Sequence, residues 1–519
     1  MRDETQETEQ ADILAWLSEP GLHDYASGGI QRITTHAAYV ILAGAYAYKM
    51  KRAVQYPYLD FSTLEKRKIA LERELKLNRR TAPWLYLDVI PVMRQRSGSF
   101  AFGGEGSVAE WLLRMQRFDV DAALDHVAAR GALQLSTMDT LAREVAQFHA
   151  GSDRRPDKGG APAMAALLAM NRDELSAAAV PPLIPDRIAV LYATGAAILS
   201  QQSVLLDRRR QAGFVRQCHG DLHLGNIVLL DGQPKLFDCI EFNDDIACID
   251  VLYDLAFLLM DLLHNGLRAH ANRALNAYLW EIPIAELGNT LDGLALLPLF
   301  LSCRAAIRSH VTARSSGDRA NKATQAAITA YFELAEQVLQ PFRPSVVAIG
   351  GLSGSGKTTL ARSLAPKSKG PAGAVILRTD VLRKQTAAVA QECALPAAHY
   401  TPEASQRVYD EMLLLAKRTV QAGQCVILDG VFAREAERRA VEQLATDLGV
   451  PFAGLWLHAP VSEMTARLGA RRNDASDATK DVLERQTRYD LGRLDWMTIE
   501  AGGLADAVCK KAQQALNLP

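Results

Sequence analysis

The chain has 519 residues, 49% hydrophobic and 23% charged, with a formal net charge of −1: too long for one core, ordinary for a globular protein, and lacking a global field that would recruit nucleic acid or an anionic membrane. Its seven cysteines are scattered with no C-x-x-C pair, an odd count that suits a reducing compartment better than a disulfide framework, and the acidic start Met1-Arg-Asp-Glu has no apolar signal core. The most apolar windows, Val251–Leu263 and Leu294–Leu301, are too short to span a bilayer, so a cytoplasmic location is expected.

Residues 1–10 read as disordered and Ala11–Leu17 as a short helix ended by Pro20-Gly21. Strands are predicted over Tyr39–Leu42 and Ala45–Lys51, joined by a turn at Ala43-Gly44. Lys49 and Lys51 share one face of the second strand, where a lysine can neutralise nucleotide phosphates if a glutamate on the next helix steadies it. The helix predicted over Ser62–Asn78 offers Glu72 and Glu74; Lys49 with Glu74 is the preferred pair, and Lys51 is the alternative lysine. No Gly-rich loop precedes them, and Thr34-Thr35-His36 occupies that turn. Val108–Met115 reads as a strand leading to a hinge whose backbone can hold an adenine, with Met115 either a nucleotide contact or core filling. A helix over Met138–His149, a Gly/Pro-rich loop over 151–162 and an Ala-rich helical insert to about Gln211 follow; the insert is where an acceptor pocket can be shaped.

The densest chemistry lies between Cys218 and Asp238. Phosphoryl transfer needs a carboxylate that orients the attacking hydroxyl and oxygen acceptors that hold Mg²⁺ against the phosphates. Asp221 and Asn226 have the H-x-D-x-x-x-x-N spacing, counted from His219. Ile227–Leu230 and Lys235–Phe237 read as a hairpin turning at Asp231-Gly232, which returns Asp238 beside Asn226 as a second metal ligand. Two carboxylates converging without a cation would each lose hydration and repel the other, so magnesium is implied.

His219-Gly-Asp-Leu-His-Leu-Gly-Asn226, then Phe237-Asp238, then Asp250-Val-Leu-Tyr-Asp-Leu-Ala256, resembles the aminoglycoside phosphotransferase-like branch of the protein-kinase fold over roughly residues 25–335. The resemblance implies a bilobal α+β domain in which Asp221 is the base. Cys239 and Ile240 stand where protein kinases carry Phe and Gly, as expected of the small-molecule branch. Asp250 and Asp254, four apart, either brace the catalytic loop from below or cap a helix and face solvent. Arg304 and Arg308, one turn apart on a helix predicted over Leu296–Ala313, bind an anionic acceptor or form ion pairs between lobes.

Pro341 and Pro344 break the last helix, and a second domain starts there. Ser345–Ile349 is a buried-strand pattern, followed by Gly351-Leu-Ser-Gly-Ser-Gly-Lys-Thr358 and a helix over Thr359–Leu364. This is a P-loop: the backbone from Gly351 through Ser353, Gly354, Ser355, Gly356 and Thr359 wraps phosphate, Lys357 reaches the outer phosphates and Thr358 ligates Mg²⁺. Further strands over Ala374–Leu377, Cys425–Leu428 and Phe452–His458 alternate with helices, giving a doubly wound parallel α/β sheet. Asp380 and Asp429 follow two of these strands, at the edge where ligands bind. They are placed to orient an acceptor hydroxyl and to hold the metal, respectively, unless each merely caps a helix. Arg467 and Arg471 can close over the transferring phosphoryl group or remain solvated helix charges.

This half resembles small P-loop kinases such as gluconate kinase, chloramphenicol phosphotransferase and zeta toxins, and the whole chain resembles bacterial fusions of the two types. The expected organisation is a tail and short helix over 1–24, a phosphotransferase-like domain over 25–340 and a P-loop kinase domain over 341–519. The expected function is an ATP- and Mg²⁺-dependent bifunctional phosphotransferase acting on hydroxyls of small, sugar-like metabolites. The competing expectations are that one domain regulates the other, or that the second half phosphorylates nucleic-acid ends; near-neutral charge and the lack of an aromatic-basic stripe weigh against the last.

Overall fold

Strands rich in β-branched and aromatic residues between Gln31 and Gln116 form an antiparallel sheet in the spatial order Gln31–Thr34, Ala38–Ala43, Tyr46–Lys51, Ser107–Gln116, Tyr86–Arg94, Phe100–Phe102. The helix Leu64–Asn78 starts where the Thr63 hydroxyl accepts the Lys66 amide, and it buries Ala70, Leu71, Glu74, Leu77 and Asn78 at helical spacing. The computed structural model describes residues 4–19, 30–35, 37–56, 59–178, 183–316, 321–470 and 475–516.

The first helix runs from Glu4 to Leu17, so the expectation of disorder up to residue 10 fails for the described residues. Ile13, Leu14, Trp16 and Leu17 pack on Ile41, Tyr48, Met50 and Leu112. Buried Gln10 donates to the Lys51 carbonyl and the Glu110 carboxylate, each at 2.8 Å, and accepts from the Ala53 amide at 3.0 Å. These buried partners hold the helix at Gln10, inside the stretch read as disordered.

The chain packs as two units. One comprises Met1–Leu133, Phe148–Gly159 and Gly213–Asp254; the other comprises Gln134–Gln147, Gly160–Ala212 and Leu255–Pro519. In the second unit all pairings of the five-stranded sheet are parallel, in the order Val375–Arg378, Val426–Asp429, Val346–Gly351, Phe452–His458, Met497–Glu500. Its core joins Ile349, Leu360, Ile376, Ile427, Leu455 and Leu457 to Trp280, a residue from far upstream.

Helical residues run on from Ile284 to Ser315, long and apolar enough by length and composition to cross a membrane, as is Pro185–Gln211. That differs from the short windows read in the sequence. For Ile284–Ser315, 78% of the apolar window is buried inside the protein, which accounts for its composition. All seven cysteines are free thiols, and only Cys393 is exposed.

Candidate functional sites

The hairpin read from Ile227 onward forms with Asp231 and Gly232 both at positive φ (48° and 75°), the pairing a tight two-residue turn demands. It returns the chain to Asp238, itself left-handed at φ 62°. Two neighbours hold that unusual backbone: the Asp238 amide donates to the Tyr86 hydroxyl (3.0 Å) and the Cys239 amide to Asn78 Oδ1 (2.8 Å). Neither partner carries a motif, and the sequence reading missed both.

Lys49 Nζ lies 2.6 Å from Glu74 Oε1 and 2.8 Å from Asp238 Oδ1, so the predicted strand lysine, helix glutamate and hairpin aspartate meet. Lys51, on the same strand face as expected, pairs instead with Glu74 Oε2 (2.6 Å) and Glu241 (2.5 Å) and is buried. Glu74 thus bridges both lysines with no exposed side-chain surface, whereas Glu72 is 55% exposed. Burial alone would push the Lys49 ammonium down, but Asp238, Glu74 and Glu241 outweigh it and hold it well above the ordinary lysine range. Burial pushes the Asp238 carboxyl up, and Lys49 overcomes that, leaving it below the usual carboxylate range.

Asp221 is 38% exposed, and its carboxylate and carbonyl accept from Asn226 Nδ2 at 3.0 and 2.9 Å. Beneath it, fully buried Asp254 accepts the amides of His219 (3.1 Å) and Gly220 (2.9 Å) and meets His149 Nε2 at 3.0 Å. Asp254 therefore holds the loop from below, while Asp250 accepts the Leu252 amide at 2.9 Å as a cap but is buried, not solvent-facing as the alternative reading had it. Burial lowers the pKa of His219, keeping the ring neutral with Nε2 donating to the Phe237 carbonyl (2.9 Å). His149, Cys218 and Asp254 bring three potential metal-ligating atoms within 4.8 Å of one another. The Asp254 oxygens are already engaged, however, and the Cys218 thiol, pushed well up by burial, donates to Ile249 O at 3.4 Å. This cluster is a structural brace.

Met115 lies in the strand Ser107–Gln116, paired to Tyr86 and Ala47 and packed against the cluster of Leu71, Leu85 and Leu113. Of the turn read as replacing a Gly-rich loop, Thr35 accepts the Ala38 amide through its hydroxyl at 2.9 Å, and His36 lies outside the described residues. Arg304, 3% exposed, lies over the Phe257 ring at 4.6 Å, and Arg308 lies over Tyr331 at 5.7 Å.

In the second unit the glycine loop runs from Gly351, at the end of its strand, into the helix Lys357–Leu364. Gly354 is left-handed at φ 83°, and a Cβ there would sit 2.5 Å from the Met464 carbonyl; only glycine fits. Ser353 and Ser355 are buried, and Thr359 is exposed. Lys357 Nζ donates to the Leu352 carbonyl at 3.0 Å. Thr358 donates its hydroxyl to Asp429 Oδ2 at 2.6 Å, and Arg378 Nε meets the same oxygen at 3.3 Å. Burial outweighs the pull of Arg378 and Lys357 on Asp380 and keeps its carboxyl above the ordinary range, with Ser476 hydrogen-bonded to it.

Arg467 reaches the Ser355 carbonyl (3.5 Å) and the Ala501 carbonyl (2.9 Å), beside Gly356, while Arg471 lies outside the described residues. Sequence reading missed Gln486, whose Oε1 accepts the Ser353 amide at 2.8 Å. It arrives from 133 residues downstream with no motif of its own.

Both sites hold carboxylate or hydroxyl oxygens: Asp238 beside Lys49 in one, Thr358 with Asp429 in the other. That donor set suits an octahedral, oxygen-seeking divalent cation rather than a thiolate-loving metal.

Residues 67–288 match the phosphotransferase enzyme family, and residues 346–490 match an AAA domain. Over 474 residues the chain is 30% identical to the uncharacterized protein Rv2004c of Mycobacterium tuberculosis, covering 89% of this chain and 91% of that one. Among solved structures it resembles the amicoumacin kinase hAmiN in complex with AMP-PNP, Ca2+ and Ami, at 13% identity and TM-score 0.39 over 65% of this chain and 97% of that one. It also resembles a sugar kinase from Janibacter sp., at 20% identity and TM-score 0.27 over 34% of this chain and 96% of that one.

Proposed function

We propose, from the premise that this chain belongs to the family that includes Rv2004c and joins a phosphotransferase-family segment to an AAA-domain segment, that it is a bifunctional phosphotransferase. Each module moves the γ-phosphate of ATP to a hydroxyl of a small polar metabolite, sugar-like or aminosugar-like. The observation that carries this reading is that each module holds its own cation and carboxylate set: Lys49 with Glu74 and Asp238, and Lys357 and Thr358 with Asp429 and Asp380.

In the first module Asp221, exposed at the loop and steadied by Asn226, accepts the proton of the acceptor hydroxyl. Lys49 neutralises phosphate oxygens, and the Glu74 bridge keeps it charged and fixed. Asn226 and Asp238 would hold Mg²⁺, which when bound screens charge on the transferring phosphoryl group. In the second module the loop amides cradle the phosphates and Arg467 stands beside Gly356 to meet developing charge. Asp380 takes the acceptor proton, and Thr358 with Asp429 would hold the second Mg²⁺. The boundary between the modules is placed at about Pro341.

The test is a screen of small hydroxylated metabolites for transfer of labelled γ-phosphate, run with Asp221→Ala and Lys357→Ala. Each substitution is expected to abolish one activity, by at least about 10³-fold, and spare the other. Two variants that both keep full turnover would refute the assignment.

A further inference from the structure

The helix Arg268–Glu281 lies within the segment matching the phosphotransferase family, yet it packs inside the second unit, against the P-loop sheet. One side chain per turn faces that sheet: Arg268, Asn272, Asn276 and Trp280. The Arg268 guanidinium donates to the carbonyls of Pro366, Ser368, Gly370 and Pro371 at 2.6–3.0 Å. Asn272 donates to Ala372 and Ala374 (2.7 and 3.0 Å). Asn276 donates to Ala374 O (3.1 Å) and accepts the Ile376 amide (2.6 Å), and Trp280 Nε1 donates to Ile376 O at 3.0 Å. The strand Val375–Arg378 is the outermost of its sheet, so these side chains take the place of a missing neighbouring strand.

The last of them reaches the chemistry. Trp280 is 7% exposed, and the guanidinium carbons of Arg378 and Arg362 lie over its ring at 5.6 and 5.4 Å. Arg362 belongs to the helix that follows the glycine loop, and Arg378 pairs with the Asp429 oxygen that also takes the Thr358 hydroxyl. The ring is pinned through Ile376, two residues before Arg378. An aromatic face holds a guanidinium by its quadrupole and by contact area, and it also limits where a buried ion pair can move.

We infer that Trp280 is a positioning residue of the second phosphate site: its ring fixes Arg378, Arg378 fixes the Asp429 carboxylate beside Thr358, and a residue of the phosphotransferase segment thereby sets how well the P-loop takes up metal-bound nucleotide. The inference rests on the P-loop reading above.

The test titrates a fluorescent ATP analogue into the full chain carrying Lys49→Met, which removes the first site, with Mg²⁺ and with EDTA. Trp280→Leu removes the ring, whereas Trp280→Phe keeps a face and loses the Nε1 donor. Trp280→Leu is expected to weaken binding with Mg²⁺ about three- to thirtyfold, the range of a desolvated cation–π contact, while binding in EDTA changes less than about twofold. Trp280→Phe falls between. In an Arg378→Lys background the Trp280 substitution should lose its effect, because both act through one carboxylate. Equal losses with and without Mg²⁺, or losses that simply add to Arg378→Lys, would overturn the positioning role. If the leucine variant does not fold, the phenylalanine cycle reads the same coupling. Binding that Lys357→Ala leaves intact would instead overturn the P-loop reading itself, and the inference with it.

Discussion

A carboxyl removed from water keeps its proton more tightly than one left in it, and Asp380 is in that position, with burial outweighing Arg378 and Lys357. The folded protein therefore binds this proton above the pH at which the unfolded chain releases it. Stability falls as pH rises from the ordinary carboxylate range of about 4 through the raised value, and above that value the cost of the ionised group is fully present. Asp380→Asn is accordingly expected to raise the unfolding midpoint in EDTA at pH 8 by about 2–4 °C, with the gain shrinking as pH is lowered toward 4.5, while second-site transfer is lost. Thermal melts at the two pH values decide it, and an asparagine variant less stable at pH 8 contradicts the burial argument. Asp238 has the opposite sign. Its lowered pKa means the Lys49 pair contributes stability above the ordinary carboxylate range, and that contribution is lost as pH falls through the depressed value.

Among the elements, the helix Glu4–Leu17 is held by the polar residues Glu9, paired with Arg94 at 2.9 Å, and Gln10 as well as by its apolar face. Gln10 saturates Lys51 O, Glu110 Oε2 and the Ala53 amide, and Trp16 lies 4.8 Å from Phe102 and 5.9 Å from Phe100 between ring centres. Gln10→Ala strands buried donors and acceptors and is expected to cost about 1–3 kcal/mol, read as a lower denaturant midpoint. An unchanged midpoint would mean the helix adds nothing to the sheet. What could be read beforehand was whatever the chain fixes locally: the spacing from His219 to Asn226, the Asp231-Gly232 turn that returns Asp238, the glycine loop between strand and helix, and the parallel sheet behind it. What could not be read were partners brought together only by packing. Glu241 meets Lys51 across 190 residues, His149 meets Asp254 across 105 and Gln486 meets Ser353 across 133. A single buried hydrogen bond leaves no periodicity in sequence, so these pairs had no signal, and nothing in the sequence distinguished the buried Glu74 from the exposed Glu72.

For the molecule as a whole, the two modules are consecutive in sequence yet interleaved in the second unit, where Arg268, Asn272, Asn276 and Trp280 complete hydrogen bonds that the P-loop sheet does not make for itself. A polypeptide of residues 341–519 would keep every motif of the P-loop module and lose that helix. It is expected to bind nucleotide more weakly than the full chain and to sediment as a mixture of oligomers, and a longer polypeptide that includes residues 268–281 should return to a single species. A monodisperse, fully active fragment would count against this. The consequence reaches into how such genes can be recombined: with Ala374 and Ile376 left as a naked seam, the excised half offers other chains a row of unfilled amides and carbonyls to stitch onto. The junction that can be cut in sequence is thus not one that can be cut in the folded protein, and any new arrangement must carry the upstream helix along as its selvedge.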